Sequence, residues 1–472
     1  MIKPAYDAVI VGSGPNGLAA AIALAQAGKT VAVFEAGATA GGGVRSAELT
    51  LPGFLHDVCS AVYPLAMGSP FFASLPLADH GLQWIASDVP LAHPLDDGTA
   101  VLLDRSVNAT ALALGVDGAA YRTIFDSLVT GWKGLSHDLL GPPRLPRQFV
   151  QFMRFGAQAL QPARFFAQRR FREERGRALF AGLAAHSMLP LENWGSAAFA
   201  LVLAAAAHAV GWPIVRGGAH RLTDALISYL RQLGGEIFFN SPVNVLEDLP
   251  SHRATLCDVT PRQLVKIAGA ELSRSHADKL KKFRYGMGVF KIDWALAAPV
   301  PWTARECSRA ATVHLGGRLE EISASERAAW RGYPARRPFV LLVQPSLFDD
   351  LRAPAGKQTI WTYCHMPHAS TFDMAERIEA QIERFAPGFR TIVLARSILS
   401  PRELERYNPN YIGGDIGGGA PTLGQIFLRP TRHLYGTSKR GLYLCSASTP
   451  PGAGVHGMCG YFAAQQALCE VF

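Results

Sequence analysis

Residues 7–35 constrain this chain more than any other stretch. "DAVIVG" is a β-branched apolar run and reads as a buried parallel strand. "GSGPNG" follows, placing Gly12, Gly14 and Gly17 in G-x-G-x-x-G spacing with Ser13, Pro15 and Asn16 between them. "LAAAIALAQAG" predicts a helix stopped by Gly28, and "KTVAVFE" predicts a second strand ending in Glu35. Gly12 permits the tight turn, Gly14 lets the backbone approach a pyrophosphate, and Gly17 lets helix and strand pack closely. The helix N-terminus offers free N–H groups and a positive dipole end to the phosphates. Glu35, followed by Ala36, stands where a carboxylate accepts both ribose hydroxyls and repels a 2′-phosphate. The complete strand–turn–helix–strand–acid unit predicts a dinucleotide-binding lobe rather than a ligand-free glycine turn.

A chain of 472 residues exceeds what one core organises, so two or more lobes are expected. Its 49% hydrophobic and 18% charged content excludes disorder as the main state. The seven Cys show no C-x-x-C and no zinc-like spacing. No metal site and no disulfide-reductase chemistry are therefore expected, and reduced thiols suit a cytoplasmic protein. "MIKPAYDAVIVGSG" lacks the pattern of a secretory signal. The net charge of +9 leaves nucleic acid, an anionic membrane and an anionic cofactor as partners. The most apolar stretch, 194–212, is Ala-rich, contains His208 and is bounded by Asn193 and Pro213. It reads as a buried helix rather than a membrane span.

Beyond Glu35, "AGATAGGGVRS" adds Gly42, Gly43 and Arg45. This extension resembles that of FAD-binding two-domain flavoproteins. Arg45 suits either a phosphate or the negative charge of a reduced flavin. At the other end, "GLYLCS" predicts a short strand, "ASTPPGAGVHG" a turn and "MCGYFAAQQAL" a closing helix. Such a turn suits flavin oxygens, through Ser446, Ala447, Gly454, Val455, His456, Gly457 and Met458. Together with "LPGFLHDVCSAVYPL", "VFKIDWALAAPVPW" and "NPNYIGGDIGGGAPTLGQIFLRP", these segments resemble the phytoene desaturase-like family of FAD-dependent oxidoreductases. The resemblance spans nearly the whole chain.

The resemblance implies an α/β fold of the amine oxidase/phytoene desaturase type. A Rossmann-type FAD-binding domain would be interleaved with an α+β substrate domain and a helical cap. The expected division is 1–80, 213–283 and 405–472 for the FAD domain. It gives 81–212 to the substrate domain with its cap and 284–404 to the substrate sheet. The resemblance puts Val243 near adenine through its backbone. "NSPVNVLEDLPSHRATLCDVTP" departs from the family by shortening a hairpin, and His456 replaces a small or apolar residue. Both departures bear on carotenoid specificity and not on FAD.

Between Arg144 and Arg177 lie nine Arg, interleaved with Phe149, Phe152, Phe155, Phe165, Phe166 and Phe171. This segment is either a solvated cap with its Phe turned inward or a peripheral membrane contact. No nucleic-acid-binding module accompanies it.

FAD would carry the redox step, and protein groups would position and tune it. His456 is the first candidate beside the flavin, with Asp57 and Asp415 as alternative acid–base groups that equally suit turn capping. His56 and Tyr411 rank below them, and Cys459 and His456 are the residue types for covalent flavin attachment. A second G-x-G-x-x-G is missing, so electrons would leave to oxygen or a quinone. The expected reaction is oxidation, saturation or isomerisation of a small apolar, alkene-bearing substrate. An amine-oxidase-like activity and a low-turnover flavin-binding scaffold are the alternatives.

Overall fold

The computed structural model describes residues 3–472. Its first sheet has five parallel strands in the order Leu442–Leu444, Ala254–Cys257, Ala8–Val11, Val31–Phe34, Glu236–Phe238. Ala8–Val11 and Val31–Phe34 are buried throughout, which suits their β-branched and aromatic side chains. Three distant stretches of chain thus supply one sheet. Ala254–Cys257 lies in the segment read as a shortened hairpin, and its central pairing with Ala8–Val11 shows that the segment keeps a sheet strand.

The helix Pro15–Gln26 packs on the closing helix Met458–Val471. Its Ala19, Ala20 and Ala21 are fully buried, and small side chains let the two helices approach. At the crossing, a Cβ on Gly460 would collide with the Asn16 carbonyl. Close packing of the C-terminal helix therefore fixes where the phosphate-binding helix begins.

The second sheet has seven strands in the order Val393–Leu399, Gly288–Leu296, Gln358–Met366, Val340–Val343, Ala310–Leu315, Val89–Pro94, Ala100–Leu103. All pairings are antiparallel except that of Ala310–Leu315 with Val89–Pro94. Helices from Val107–Ala113 through Ala197–Ala209 cover one side of this lobe. Ala197–Ala209 sits in that core, and among the described residues no helix is long and apolar enough to cross a membrane. Of the six interleaved Phe, Phe155, Phe166 and Phe171 are buried, Phe152 is half-buried, and Phe149 and Phe165 are exposed.

Candidate functional site

A cavity of about 700 Å³ runs between the two sheets and is lined from both lobes. Its nucleotide end is built by Gly12, Ser13, Gly14, Pro15, Asn16, Glu35, Ala36, Gly42, Gly43 and Arg45, with Val243 beside them. Gly12 turns the chain at φ +95°, a conformation that disfavours a side chain. Gly14 caps the helix Pro15–Gln26 without any side-chain cap bond, and Pro15 follows at its first turn. The Asn16 Oδ1 atom is buried without a partner. An uncapped helix end at the cavity fits a dinucleotide pyrophosphate.

Glu35 shapes this end. Its Oε2 accepts from Ser13 N at 3.0 Å and Ser13 Oγ at 2.5 Å. Its Oε1 accepts from Gly37 N at 2.8 Å and Arg45 Nη2 at 3.3 Å. Arg45 also donates to the Ala40 and Thr39 carbonyls. The ion pair with Glu35 holds Arg45 at the nucleotide end. That placement suits phosphate neutralisation.

Asp258 closes the floor of the turn and escapes the sequence reading. It follows the strand Ala254–Cys257, and its Oδ2 accepts from Gly17 N at 2.9 Å. "ATLCD" carries the same strand-then-acid pattern as "VAVFE", and that pattern is the signal that locates it. Burial pushes its carboxyl up to about 7, and the Glu35 charge pushes the same way against the Gly17 N–H. The folded chain thus favours protonated Asp258. Its stabilising contribution is complete below the ordinary carboxylate range and is lost as pH rises from about 4 through about 7. Asp258→Asn keeps an oxygen for Gly17 and cannot ionise. The wild type should therefore lose on the order of 1–3 kcal/mol relative to the variant across that window, read as Tm against pH for both chains.

At the other end, Ser446, Ala447, Gly454 and Val455 line the cavity together with Cys59, Tyr63, Gly418 and Tyr411. Beyond them lies a chamber walled by His186, Met188, Phe199, Leu203, Trp212, Thr312, Leu341, Val343, Trp361 and Tyr363. Trp361 and Tyr363 form an edge-to-face pair with centroids 5.0 Å apart. The sequence gives no sign of this wall, because its members come from the cap and from three strands of the second sheet.

The three candidate acid–base residues do not line the cavity. His456 is fully buried behind it; its Nδ1 accepts from Met458 N at 3.1 Å and burial lowers its pKa to about 4. It is a neutral ring that caps the last helix. Gly457, at φ +69°, and Met458, buried against the first sheet, do not line the cavity either. Gly17 likewise acts from behind, through Asp258. Asp57 is ion-paired to Arg352 at 2.9 Å and accepts from Ser46 Oγ and Ala219 N. Asp415 accepts from the N–H groups of Gly286, Gly417 and Gly419, pinning a glycine-rich loop, while burial raises its pKa. Each of these carboxylates is spent on tertiary structure. His56 bonds Thr50 Oγ1 at 2.8 Å, and of the lower-ranked candidates Tyr411 does line the cavity. Cys459 is buried behind the wall, its Sγ donating to the Thr449 and Gly452 carbonyls. Among the described residues no cluster of three or more His, Cys, Asp or Glu suits a metal ion.

Comparison with known proteins agrees with this architecture. Residues 10–72 match the family described as an NAD(P)-binding Rossmann-like domain. The mouse "pyridine nucleotide-disulfide oxidoreductase domain-containing protein 2" is 27% identical over 98% of this chain and 93% of its own length. The hydroxyneurosporene desaturase of Rhodobacter capsulatus is 26% identical over 95% of this chain and 94% of its own. Among solved structures, an oxidoreductase of Methanosarcina mazei superposes with a TM-score of 0.67 at 15% identity, covering 98% of this chain and 100% of that one. That last likeness is one of fold.

Proposed function

We propose that the chain is a phytoene desaturase-like oxidoreductase that holds FAD in the cavity and dehydrogenates a compact, apolar, alkene-bearing substrate. The observation that carries this reading is the continuity of the cavity, from the pyrophosphate turn to a chamber of apolar and aromatic side chains. Bound FAD supplies the hydride acceptor. The chain's own part is to seat and exclude. The turn Gly12–Gly14 and the N-terminus of Pro15–Gln26 receive the pyrophosphate, and Glu35 faces the ribose. Trp212, Phe199, Leu203 and Leu341 give a substrate an apolar surface and keep water from the reacting carbons.

An amine substrate is less well served. Among the described lining residues the carboxylates are Glu35 and Asp258, both at the nucleotide end, so the chamber offers an alkylammonium no counter-ion. The test is anaerobic bleaching of the purified yellow holoenzyme. Reduction by apolar alkenes such as farnesene and not by alkylamines supports the reading. A colourless chain that takes up no FAD, or bleaching by amines alone, overturns it. Reoxidation by oxygen or a quinone in the same cuvette identifies the acceptor.

An anionic membrane surface is the proposed partner of the cap. Leu145, Phe149, Val150, Met153 and Phe165 are all more than half exposed on one stretch of the cap, interleaved with exposed Arg147, Arg154, Arg169 and Arg170. Apolar side chains ringed by Arg complement an acidic headgroup layer. Each Arg contributes about 1 kcal/mol at such a surface, so changing Arg147, Arg154 and Arg170 to Glu should weaken binding by on the order of 100-fold. Co-sedimentation with phosphatidylserine vesicles measures it, and phosphatidylcholine vesicles should retain neither protein.

A further inference from the structure

The floor of the chamber is one face of the second sheet. Across its neighbouring antiparallel strands Leu341 pairs with Tyr363, Val343 with Trp361 and Thr312 with Val343. Directly opposed residues point to the same side, so these five side chains share the face that lines the chamber. His186 and Trp212 come to the same chamber from the cap. Most of this surface is apolar, so the class of ligand it suits depends on how its few polar atoms are used.

Most of them are occupied inside the wall. Trp212 Nε1 donates to Thr312 Oγ1 at 2.9 Å. His186 Nε2 lies 3.0 Å from His314 Nε2, and Trp361 Nε1 is buried. Tyr363 differs. It is only 7% exposed, yet its hydroxyl has no hydrogen-bond partner among the described residues and is not one of the unpaired polar atoms sealed in the interior. The hydroxyl therefore meets the open space of the chamber. Burial raises its pKa, and Glu326 and Cys59 push the same way, so it keeps its proton and serves as a donor. His186 Nδ1 is unpaired too, but burial lowers that ring's pKa to about 3, so it adds a neutral polar edge and no charge. The charged residues of the lining, Glu35, Arg45 and Asp258, all stand at the nucleotide end. A carboxylate in the chamber would find no cation, and an ammonium no anion.

We propose that Tyr363 makes the chamber selective for an apolar alkene that carries one neutral oxygen, a carbonyl or a hydroxyl, which accepts the Tyr363 O–H. The inference rests on the dehydrogenation reading above and narrows its substrate class. A pure hydrocarbon displaces water from the chamber and leaves the Tyr363 hydroxyl unpaired, which opposes binding. Phenylalanine would fill the same place without that penalty. A ligand oxygen removes the penalty and replaces the hydration it gave up on entry. The Tyr363 ring is held edge-to-face against Trp361, with centroids 5.0 Å apart, so the hydroxyl donates from a fixed point on the floor. One fixed hydrogen bond at one end of an otherwise apolar ligand sets which way round its carbon chain lies. Tyr363 is thus a specificity-determining residue, and the hydride step does not pass through it.

Calorimetric titration of the oxidised, full-length holoenzyme with two matched probes tests this. One is geranylacetone, and the other is the hydrocarbon in which a methylidene group replaces its carbonyl oxygen. The wild type should bind the ketone at least as tightly as the hydrocarbon, although the ketone has more hydration to lose. Tyr363→Phe should weaken the ketone by about 10-fold and hold the hydrocarbon within about 2-fold, with the flavin content and visible spectrum of wild type. A preference for the hydrocarbon in the wild type, or a ketone constant unmoved in Tyr363→Phe, overturns the proposal. Loss of flavin from Tyr363→Phe assigns the hydroxyl to the cofactor and overturns it as well. The dehydrogenation reading is decided separately, by whether alkenes bleach the wild-type flavin. If neither probe binds a yellow holoenzyme, the apolar chamber falls as a substrate site and this selectivity falls with it.

Discussion

Gly14→Val should give a folded chain that purifies without flavin. Gly14 has φ −64° and ψ 171°, which any residue adopts, so the substitution introduces no backbone strain. Its effect is steric and local. The new Cβ would overlap Asp258 Oδ2, which is held in place by the Gly17 N–H. On its other side the turn already faces the Gly42 backbone at close range. The added methyl groups therefore fill the approach to the free N–H groups of Pro15–Gln26, where the pyrophosphate must come within hydrogen-bond distance. Bound flavin per mole of protein, read from visible absorbance, should drop below about one-tenth of wild type. Thermal stability should fall toward that of the wild-type apoprotein, because a ligand bound only to the folded state stabilises it by about 3–4 kcal/mol when present at 100–1,000 times its dissociation constant. Gly14→Ala should lie between the two. Wild-type flavin content in Gly14→Val would mean that the pyrophosphate is not seated on this turn.

How much of this was legible beforehand depended on how local each feature is. The phosphate-binding unit is written in residues 7–35 because its strand, turn, helix and acid are consecutive, and each residue type has one physical reason to be there. The chamber is the opposite case. Phe199, Thr312, Leu341 and Trp361 meet only after the cap closes on the second sheet, and nothing near any one of them marks it as wall rather than core. Asp258 stands between these cases, since its strand-then-acid pattern repeats that of Glu35 inside a segment whose length suggested a truncated hairpin. Residue type misled where orientation decides. His456, Asp57 and Asp415 have the right chemistry and the right sequence neighbourhood, yet their partners turn them away from the cavity. Helical phase divides the cap's Phe residues in the same way: Phe149 faces solvent and Phe155 faces the core, six residues apart in one helix.

Arg352→Met should be the most destabilising single change near the site, and Asp57→Asn should cost stability without changing the chemistry. The Arg352 guanidinium is fully buried. It donates from Nε to Asp349 at 2.7 Å, from Nη1 to Asp57 at 2.9 Å and from Nη2 to the Val215 carbonyl at 2.9 Å. Asp349 also accepts from Gly217 N, and Asp57 from Ala219 N. One cation thus ties the segments of Asp57 and Asp349 to the start of the helix His220–Gln232, which packs against Pro15–Gln26. Its removal strands two carboxylates in the interior, a loss of about 3–5 kcal/mol. Asp57→Asn keeps an oxygen for the Ser46 and Ala219 donors and leaves Arg352 its Asp349 partner, so its loss should be about 1–3 kcal/mol. In the double variant the stranded charge at position 57 is gone, and the combined loss should fall short of the sum by at least about 1 kcal/mol. Urea midpoints of the four proteins measure all three quantities. The decisive comparison is with turnover. A structural Asp57 predicts that flavin-loaded Asp57→Asn, assayed well below its melting temperature, reduces at the wild-type rate. An acid–base Asp57 requires the reverse, a rate lowered by about 100-fold with little change in midpoint, and that outcome would return the proton chemistry to this residue.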